Sequence, residues 1–290
     1  MTGVQYARPT STSEAIEALR SDDAARMIAG GTDLMVQMRL GHRRPSLVVD
    51  TAGLTELHQL DCGPASVIGA ATTLRTMLGE PGLVKQYTAL AQSANLLGGR
   101  QIQAVATFGG NVCNASPAAE TATPLLAYDA EVEIAGPDGV RVVALRDFFT
   151  GPGETALARG ELLVAFRLPA SAGIRRSAYR RLQLRRSVDI AVVSASACVD
   201  IVDERIAHAR VAIGAVNAVP TIVDEAAAAL EGVSMAAADA DVRRDAIAVA
   251  AAACRSASRP IDDVRASSRY RSAMVEVIVA RVLGDVLGVG

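Results

Sequence analysis

The chain has 290 residues, 50% of them apolar and 21% charged, with a formal net charge of −2. That length supports two or three small domains with cores of their own, and the near-neutral balance excludes a general attraction to nucleic acid or an anionic membrane. No apolar run nears the roughly 20 residues of a membrane-spanning helix, and the start, Met1-Thr2-Gly3-Val4-Gln5-Tyr6, lacks the pattern of a secretory signal, so a cytoplasmic protein is expected.

In chain order, Ser11-x-x-Glu14 reads as a capping box for a helix with Ile16 and Leu19 turned inward. Met27-Ile28-Ala29 predicts a short buried strand, followed at once by Gly30-Gly31-Thr32-Asp33 and a helix from Leu34 to Leu40 that stops at Gly41. Ser46 to Asp50 is a further strand, completing a small α/β unit. A second block opens near Leu57. Its strand is Ser66 to Ala70, Thr72 or Thr73 caps a helix through Leu78, and another helix covers Leu83 to Leu97. A glycine-rich segment spans Gly98 to Asn114, with a loop at Thr107–Asn111. Tyr128 to Ala135, a turn at Gly136-Pro137-Asp138-Gly139 and Val140 to Leu145 form a hairpin, and Glu161 to Leu168 is the closing strand. The third block has strands at Ser177–Leu184, Ile190–Val199 and Ala207–Gly214, then helices at Val223–Leu230, Ala236–Cys254 and Ala266–Leu287. The expected division is 1–56, 57–172 and 173–290, the last of α+β type.

The four cysteines, Cys62, Cys113, Cys198 and Cys254, are dispersed, as are His42, His58 and His208. Zinc and iron–sulfur centres need clustered ligands, so no metal site is expected, and redox chemistry would have to come from an organic cofactor. Cys113 reads as packing.

Two glycine motifs carry the functional signal. Ala29-Gly30-Gly31-Thr32-Asp33 lies between a strand and a helix, where backbone without Cβ can approach a ligand and successive N–H groups can hold a diphosphate. Taken alone it serves equally as a tight strand-to-helix turn. Thr107-Phe108-Gly109-Gly110-Asn111 repeats the theme, with Gly110 a candidate for positive φ, although Gly, Asn, Ser and Pro favour turns in any case. Together the two suit a dinucleotide held between domains. Neither matches G-x-G-x-x-G or the Walker pattern, so Rossmann and P-loop folds lose support. The doublets Arg175-Arg176, Arg180-Arg181 and Arg185-Arg186 read as a solvated basic face in preference to a docking surface.

At these residues the chain resembles the FAD-binding, medium subunit of the xanthine dehydrogenase and carbon monoxide dehydrogenase family of molybdenum hydroxylases. Ala29-Gly30-Gly31-Thr32-Asp33-Leu34 and Thr107-Phe108-Gly109-Gly110-Asn111 match the family's two flavin loops. The likeness continues through Gly69-Ala70-Ala71-Thr72-Thr73, Ala115-Ser116-Pro117, Asp129-Ala130-Glu131-Val132, Asp189-Ile190-Ala191 and Arg265-Ala266-Ser267-Ser268-Arg269-Tyr270-Arg271. The resemblance implies a vanillyl-alcohol-oxidase-type (PCMH-like) fold, two α/β subdomains around FAD followed by an α+β domain.

By position, the resemblance implies FAD contacts from Met27, Ile28, Ala29, Gly30, Gly31, Thr32, Asp33 and Leu34. It implies further contacts from Leu97, from Thr107, Phe108, Gly109, Gly110 and Asn111, and from Glu120 and Leu163. Arg180 or Arg181 falls where relatives often carry a cationic lysine, and arginine there changes size and geometry. Gln103-Ala104 replaces a common Arg-Asn pair, so one charged anchor before the second loop is absent.

The implied role is an electron relay. A large partner subunit would hold the molybdopterin cofactor and a small one two 2Fe–2S clusters, with NAD, a quinone, oxygen or another external acceptor. No catalytic acid, base or nucleophile is expected in this chain. The alternative is a stand-alone FAD oxidase of the same fold.

Overall fold

In this computed structural model, residues 3–185 and 188–289 are described. Three sheets follow one another along the chain. The first has strands β1 (Gln5–Ala7), β2 (Arg26–Ile28) and β3 (Leu47–Asp50), all parallel, in the order β1-β3-β2. Parallel neighbours require crossover helices, here α1 (Thr12–Ser21) and α2 (Leu34–Arg39). Ser11 Oγ accepts from the Glu14 amide at 3.2 Å. The Glu14 carboxylate reaches the Thr10 amide at 2.7 Å instead of that of Ser11, so the reciprocal half of the capping box sits one residue outward. Leu19 is buried and Ile16 packs at the core's edge, and the Gln5–Ala7 strand is an addition to the expected elements.

The second sheet is antiparallel in the order β4-β5-β10-β6-β7. Its strands are β4 (Leu60–Cys62), β5 (Ser66–Gly69), β6 (Glu131–Gly136), β7 (Gly139–Ala144) and β10 (Leu162–Leu168). A two-stranded hairpin, β8 (Phe149–Gly151) and β9 (Glu154–Thr155), lies between β7 and β10 in the chain. The expected β6–β7 hairpin is present, with Gly136 opposite Gly139.

Three expectations for this block need correction. The helix drawn from Leu83 to Leu97 is two helices: after the expected α3 (Leu74–Leu78), α4 (Pro81–Gln86) and α5 (Thr88–Leu96) are separated at Tyr87, with φ −120° and ψ 58°. The Tyr128 hydroxyl accepts from the Ala89 amide in the first turn of α5, at 3.1 Å, so the fresh start is satisfied from another element. The glycine-rich stretch contains α6 (Arg100–Gln103), and the loop expected at Thr107–Asn111 is instead the N-cap and first turn of α7 (Phe108–Cys113). Finally, Tyr128–Ala130 is a turn, with Asp129 at φ +51°, and a buried helix α8 (Ala122–Ala127) runs up to it.

The third sheet has the order β11-β12-β13-β14, antiparallel, from β11 (Ile174–Leu182), β12 (Val193–Val202), β13 (Arg205–Gly214) and β14 (Thr221–Ile222). Helices α9 (Asp224–Ala228), α10 (Ala240–Ala257) and α11 (Ser268–Leu287) follow. Val193, Ala195, Ala197 and Val199 of β12 face the α10–α11 side. From the other face, Tyr179, Cys198 and Ala212 join the core built by α5 and α8. Covered on both faces, β12 is buried at nine successive positions, the pattern of a central strand.

The basic face drawn from the arginine doublets is also corrected. Arg175 forms a largely buried ion pair with Asp200 at 3.0 Å, Arg180 pairs with Asp285 at 2.6 Å, and Arg181 pairs with buried Glu120. Arg176 and Arg185 are exposed, and Arg186 lies outside the described residues.

Between α10 and α11, Asp263 pins the start of the last helix. Its carboxylate accepts from the amides of Arg265 (2.8 Å) and Ala266 (3.2 Å) and pairs with buried Arg271 at 2.7 Å. Arg271 also donates to Val192 O and Ala215 O, at 2.9 and 3.0 Å. Desolvation pushes the Asp263 carboxyl up, but the Arg265 amide, the Arg271 guanidinium and the Ala266 amide outweigh it and hold the pKa at about 2. A folded pKa below the unfolded value gives stability that is full above about pH 4 and is lost as pH falls through about 2. Asp263→Ala is therefore expected to cost about 1–2 kcal/mol at pH 7, discounted for partial exposure, with the gap from wild type closing toward pH 2. Urea unfolding at pH 7, 4 and 3 measures it, and a gap that stays constant with pH contradicts the assignment.

Candidate functional site

A cavity of about 810 Å3 opens where β2 and β3 end, at the carboxyl edge of the parallel sheet, the position at which parallel α/β sheets take ligands. One wall is the Met27–Leu34 segment. Facing it are Ala70, Ala71 and α7, with Leu162 and Leu163 of β10 between and Thr155 and Leu157–Glu161 along the rim. The volume is toward the upper end of small-molecule pockets, about 300–1,000 Å3.

The first glycine motif is built for contact in two ways. A Cβ at Gly30 would lie 1.9 Å from Val105 O and 2.6 Å from its carbonyl carbon. Gly30 thus lets the first block's backbone touch the segment that leads into the second motif. Gly31 has φ +68°, the left-handed region that favours glycine. The amides of Gly30, Gly31, Thr32 and Asp33 donate to no group among the described residues, and Asp33 makes no side-chain cap on α2. Four consecutive uncommitted N–H groups at a cavity wall form an anion-binding concavity. Gly30, Gly31 and Thr32 are half-buried, where backbone amides are otherwise nearly always paired, so the residues present fit a phosphate-bearing ligand.

The second motif works differently. Its amides are spent within the chain: Phe108 to Thr72 O (3.1 Å), Gly109 to Ala70 O (2.9 Å) and Asn111 to Thr107 O (3.0 Å). Gly110 N–H goes to the Thr107 hydroxyl at 3.0 Å, the N-cap bond of α7. Gly109 packs its Cα against Ala70, where a Cβ would come within 2.7 Å of both Cβ and O. Gly110 is helical and has no positive φ, so that expectation is corrected. A Cβ there meets only Thr107 Oγ1, at 2.9 Å. What this motif offers a ligand is a close backbone surface plus the Thr107 and Asn111 side chains. Asn111 is oriented by its Oδ1, which accepts from the Thr121 hydroxyl (2.7 Å) and amide (3.1 Å).

Of the other residues singled out in the sequence, Leu97 and Leu163 line the cavity as apolar wall. Phe108, Glu120, Arg180 and Arg181 do not reach it. Phe108 is fully buried in the second core, and Arg180 pairs at the surface of α11. Glu120 accepts from Tyr179 OH at 2.8 Å and from Arg181. Arg181 also donates to Leu96 O (3.0 Å), Asp189 O (3.1 Å) and Gln183 (2.6 Å). Burial drives the Glu120 carboxyl upward against the opposing pull of Arg181 and Tyr179. The cluster thus ties the third sheet to the backbone beside Leu97. Gln103, the uncharged replacement noted above, is buried and donates to Asn95 O and Leu97 O at 3.0 and 3.1 Å. It anchors the same Leu97 turn without charge.

Sequence reading missed Arg26, Gln37, Arg43, Thr51 and the rim of Thr155 and Leu157–Glu161, all of which line the cavity. Arg26 and Arg43 carried no motif, and the rim comes from 120 or more residues down the chain. Gln37 donates to Asn114 at 3.1 Å, joining α2 to the end of α7. Cys113 also borders the cavity, but burial pushes its thiol to about 12, where nucleophilic thiolate is scarce. Among the described residues no group of three or more His, Cys, Asp or Glu is placed to hold a metal, and no helix is long and apolar enough to cross a membrane.

Comparison with known proteins gives the site its setting. Residues 2–171 match the family described as the FAD binding domain in molybdopterin dehydrogenase, and residues 177–286 the CO dehydrogenase flavoprotein C-terminal domain. The chain is similar to the putative xanthine dehydrogenase FAD-binding subunit of Escherichia coli (strain K12), 35% identical over 221 residues, covering 74% of this chain and 75% of that protein. It is also similar to the carbon monoxide dehydrogenase medium chain of Afipia carboxidovorans, 29% identical over 280 residues, covering 96% and 94%. Among solved structures, reconstituted CO dehydrogenase from Oligotropha carboxidovorans superposes with a TM-score of 0.92 at 27% identity, covering 99% of each chain. Quinoline 2-oxidoreductase from Pseudomonas putida 86 gives 0.88 at 27%, covering 99% and 98%. With the glycine-lined cavity at the carboxyl edge of its parallel sheet and both halves matched in order, the chain belongs to the FAD-binding medium subunits of the xanthine dehydrogenase and carbon monoxide dehydrogenase family.

Proposed function

We propose that this flavoprotein subunit relays electrons from the 2Fe–2S clusters of a small partner to an external acceptor, NAD, a quinone, oxygen or another. The organic substrate would be hydroxylated at a molybdopterin cofactor on a large partner. The observation that carries the reading is the run of uncommitted amides from Gly30 to Asp33, facing the backbone surface of α7 across one cavity. In this reading those amides hold the FAD diphosphate, the Thr107 hydroxyl and the Asn111 amide nitrogen donate to its phosphate oxygens, and the Asp33 carboxylate accepts from its hydroxyl groups. Leu97 and Leu163 form the apolar walls. Glu120 with Arg181, and Gln103, hold the Leu97 backbone in place without touching the cofactor. When bound, FAD supplies the ability to take electrons singly and give them up in pairs. The finer fold assignment, a vanillyl-alcohol-oxidase-type arrangement divided at 56 and 172, and a cytoplasmic location belong to the same proposal.

Purified protein is expected to be yellow, with one FAD per chain, all of it released by acid precipitation because the Cys113 thiol is held too high to form a link. In anaerobic solution the flavin of the isolated chain is expected to stay oxidised when organic substrates are added. Protein that remains colourless after incubation with FAD refutes the cofactor assignment. Rapid bleaching by an organic substrate without partners favours the stand-alone oxidase instead.

A further inference from the structure

Part of the cavity rim belongs to neither glycine motif. Residues 156–161 join β9 to β10, and Leu157, Ala158, Arg159 and Gly160 line the cavity together with Asp22 and Asp23, just beyond α1. Both feet of this segment are held to the second block. The Ala156 amide donates to Phe148 O at 2.8 Å. Arg141 of β7 donates to Ala156 O at 2.8 Å and to the two carboxylate oxygens of Glu161 at 2.7 Å each. The tip crosses to the first block instead. Arg159 Nη1 pairs with Asp23 at 2.6 Å, and its Nη2 donates to Arg20 O at 2.5 Å. Gly160 has φ +78°, and a Cβ there would lie 2.3 Å from Arg20 Cγ, so the tip sits directly on the end of α1. The ion pair itself is open to water, with the Arg159 and Asp23 side chains 58% and 82% exposed. Exposed pairs of this kind shift an equilibrium only a few-fold and weaken as salt screens them. The feet are firm and the tip is lightly held.

We propose that residues 156–161 form a strap over the cofactor cavity, latched by Arg159 to Asp23 and Arg20, and that its unlatching admits and releases FAD. The inference rests on the FAD reading of the cavity and adds to it the route of exchange. Entry and exit both pass through the unlatched state, so the population of that state sets both rates. That separates a latch from the two simpler roles these residues could have. A fixed contact to FAD would change release alone. A long-range effect of charge on the anionic diphosphate would move the two rates in opposite directions. Losing the Asp23 carboxylate would then speed binding and slow release, and losing the Arg159 cation would do the reverse. A latch makes both variants alike, with both rates raised.

The test uses the full chain, stripped of flavin and reloaded. Stopped-flow flavin fluorescence gives the association rate, and exchange of radiolabelled FAD against excess unlabelled FAD gives release. Asp23→Ala and Arg159→Ala are each expected to raise both rates about three- to fivefold, with affinity changed by less than about twofold. Combining Asp23→Arg with Arg159→Asp should bring both rates back toward wild type. In about 1 M salt the wild type should approach the single variants. Arg244→Ala, which breaks an equally exposed pair on distant α10, should change neither rate. Rates that move in opposite directions, or release that rises alone, overturn the latch. Unchanged rates, with or without a lower urea midpoint, make the segment a structural brace and overturn it too, while the FAD reading stands. A stripped wild-type chain that takes up no FAD overturns the cofactor reading and the strap with it.

Discussion

Gly30→Ala is expected to empty the cofactor site and to destabilise the protein by about 3 kcal/mol, the upper part of the range for overpacking. The added Cβ would lie 1.9 Å from Val105 O, and the obstacle is backbone, with no rotamer to give way. Relief requires moving the first glycine motif away from Val105 and Ala106, which separates the uncommitted amides from α7 across the cavity. Gly110→Ala is the matched comparison. Its Cβ meets the Thr107 hydroxyl at 2.9 Å, a side-chain atom that can turn, and alanine favours the helix there by roughly 0.5–1 kcal/mol. We expect Gly110→Ala to keep most of its FAD and Gly30→Ala to lose nearly all of it. Flavin absorbance per chain and the urea midpoint report both effects. Full FAD in Gly30→Ala means that the diphosphate is held elsewhere.

The second large effect is expected at Arg181. Replacing it with leucine removes the cation that opposes desolvation of Glu120, which is 6% exposed. Breaking one side of a buried ion pair costs about 3–5 kcal/mol. Burial already pushes the Glu120 carboxyl up from its ordinary value against the pull of Arg181 and Tyr179, and without Arg181 it rises further. An acid whose folded pKa exceeds its unfolded value draws stability down as pH climbs above the unfolded value. The loss in Arg181→Leu should therefore be larger at pH 8 than at pH 5. Combining it with Glu120→Leu should recover much of the deficit, since no unpaired charge remains. A penalty that is flat with pH, or unrelieved in the double variant, rules out this account. Leu96, next to Leu97 of the cavity wall, loses a backbone anchor in the single variant, so weaker FAD retention should accompany the loss of stability.

How much of this was readable beforehand depends on whether a signal is local. The strand-to-helix turn at Gly30 and Gly31 and the β6–β7 hairpin were legible because glycine placement and alternation are features of adjacent residues. Helix α8 was not, because Ala122–Ala127 is buried on every side and shows no polar face to reveal a 3.6-residue period. The break at Tyr87 depends on a hydroxyl 41 residues away, at Tyr128. The arginine doublets looked like a solvated face because nothing in sequence joins residue 181 to residue 120, or 175 to 200. For the site, the two motifs were found as a pair, but their division of labour was hidden. One offers free amides and the other has spent them, and only tertiary hydrogen bonds make that distinction.

The doubly covered sheet bears on how the molecule comes apart. Its α10–α11 face and its α5–α8 face belong to separate cores, yet both stand on β12. A cut near residue 172 therefore releases no autonomous half. The carboxy-terminal piece would carry Tyr179, Cys198 and Ala212 into water, and the amino-terminal piece would bare α8. Two regions that look like modules along the chain are thermodynamically one, and heat or urea should dissolve them in a single cooperative step.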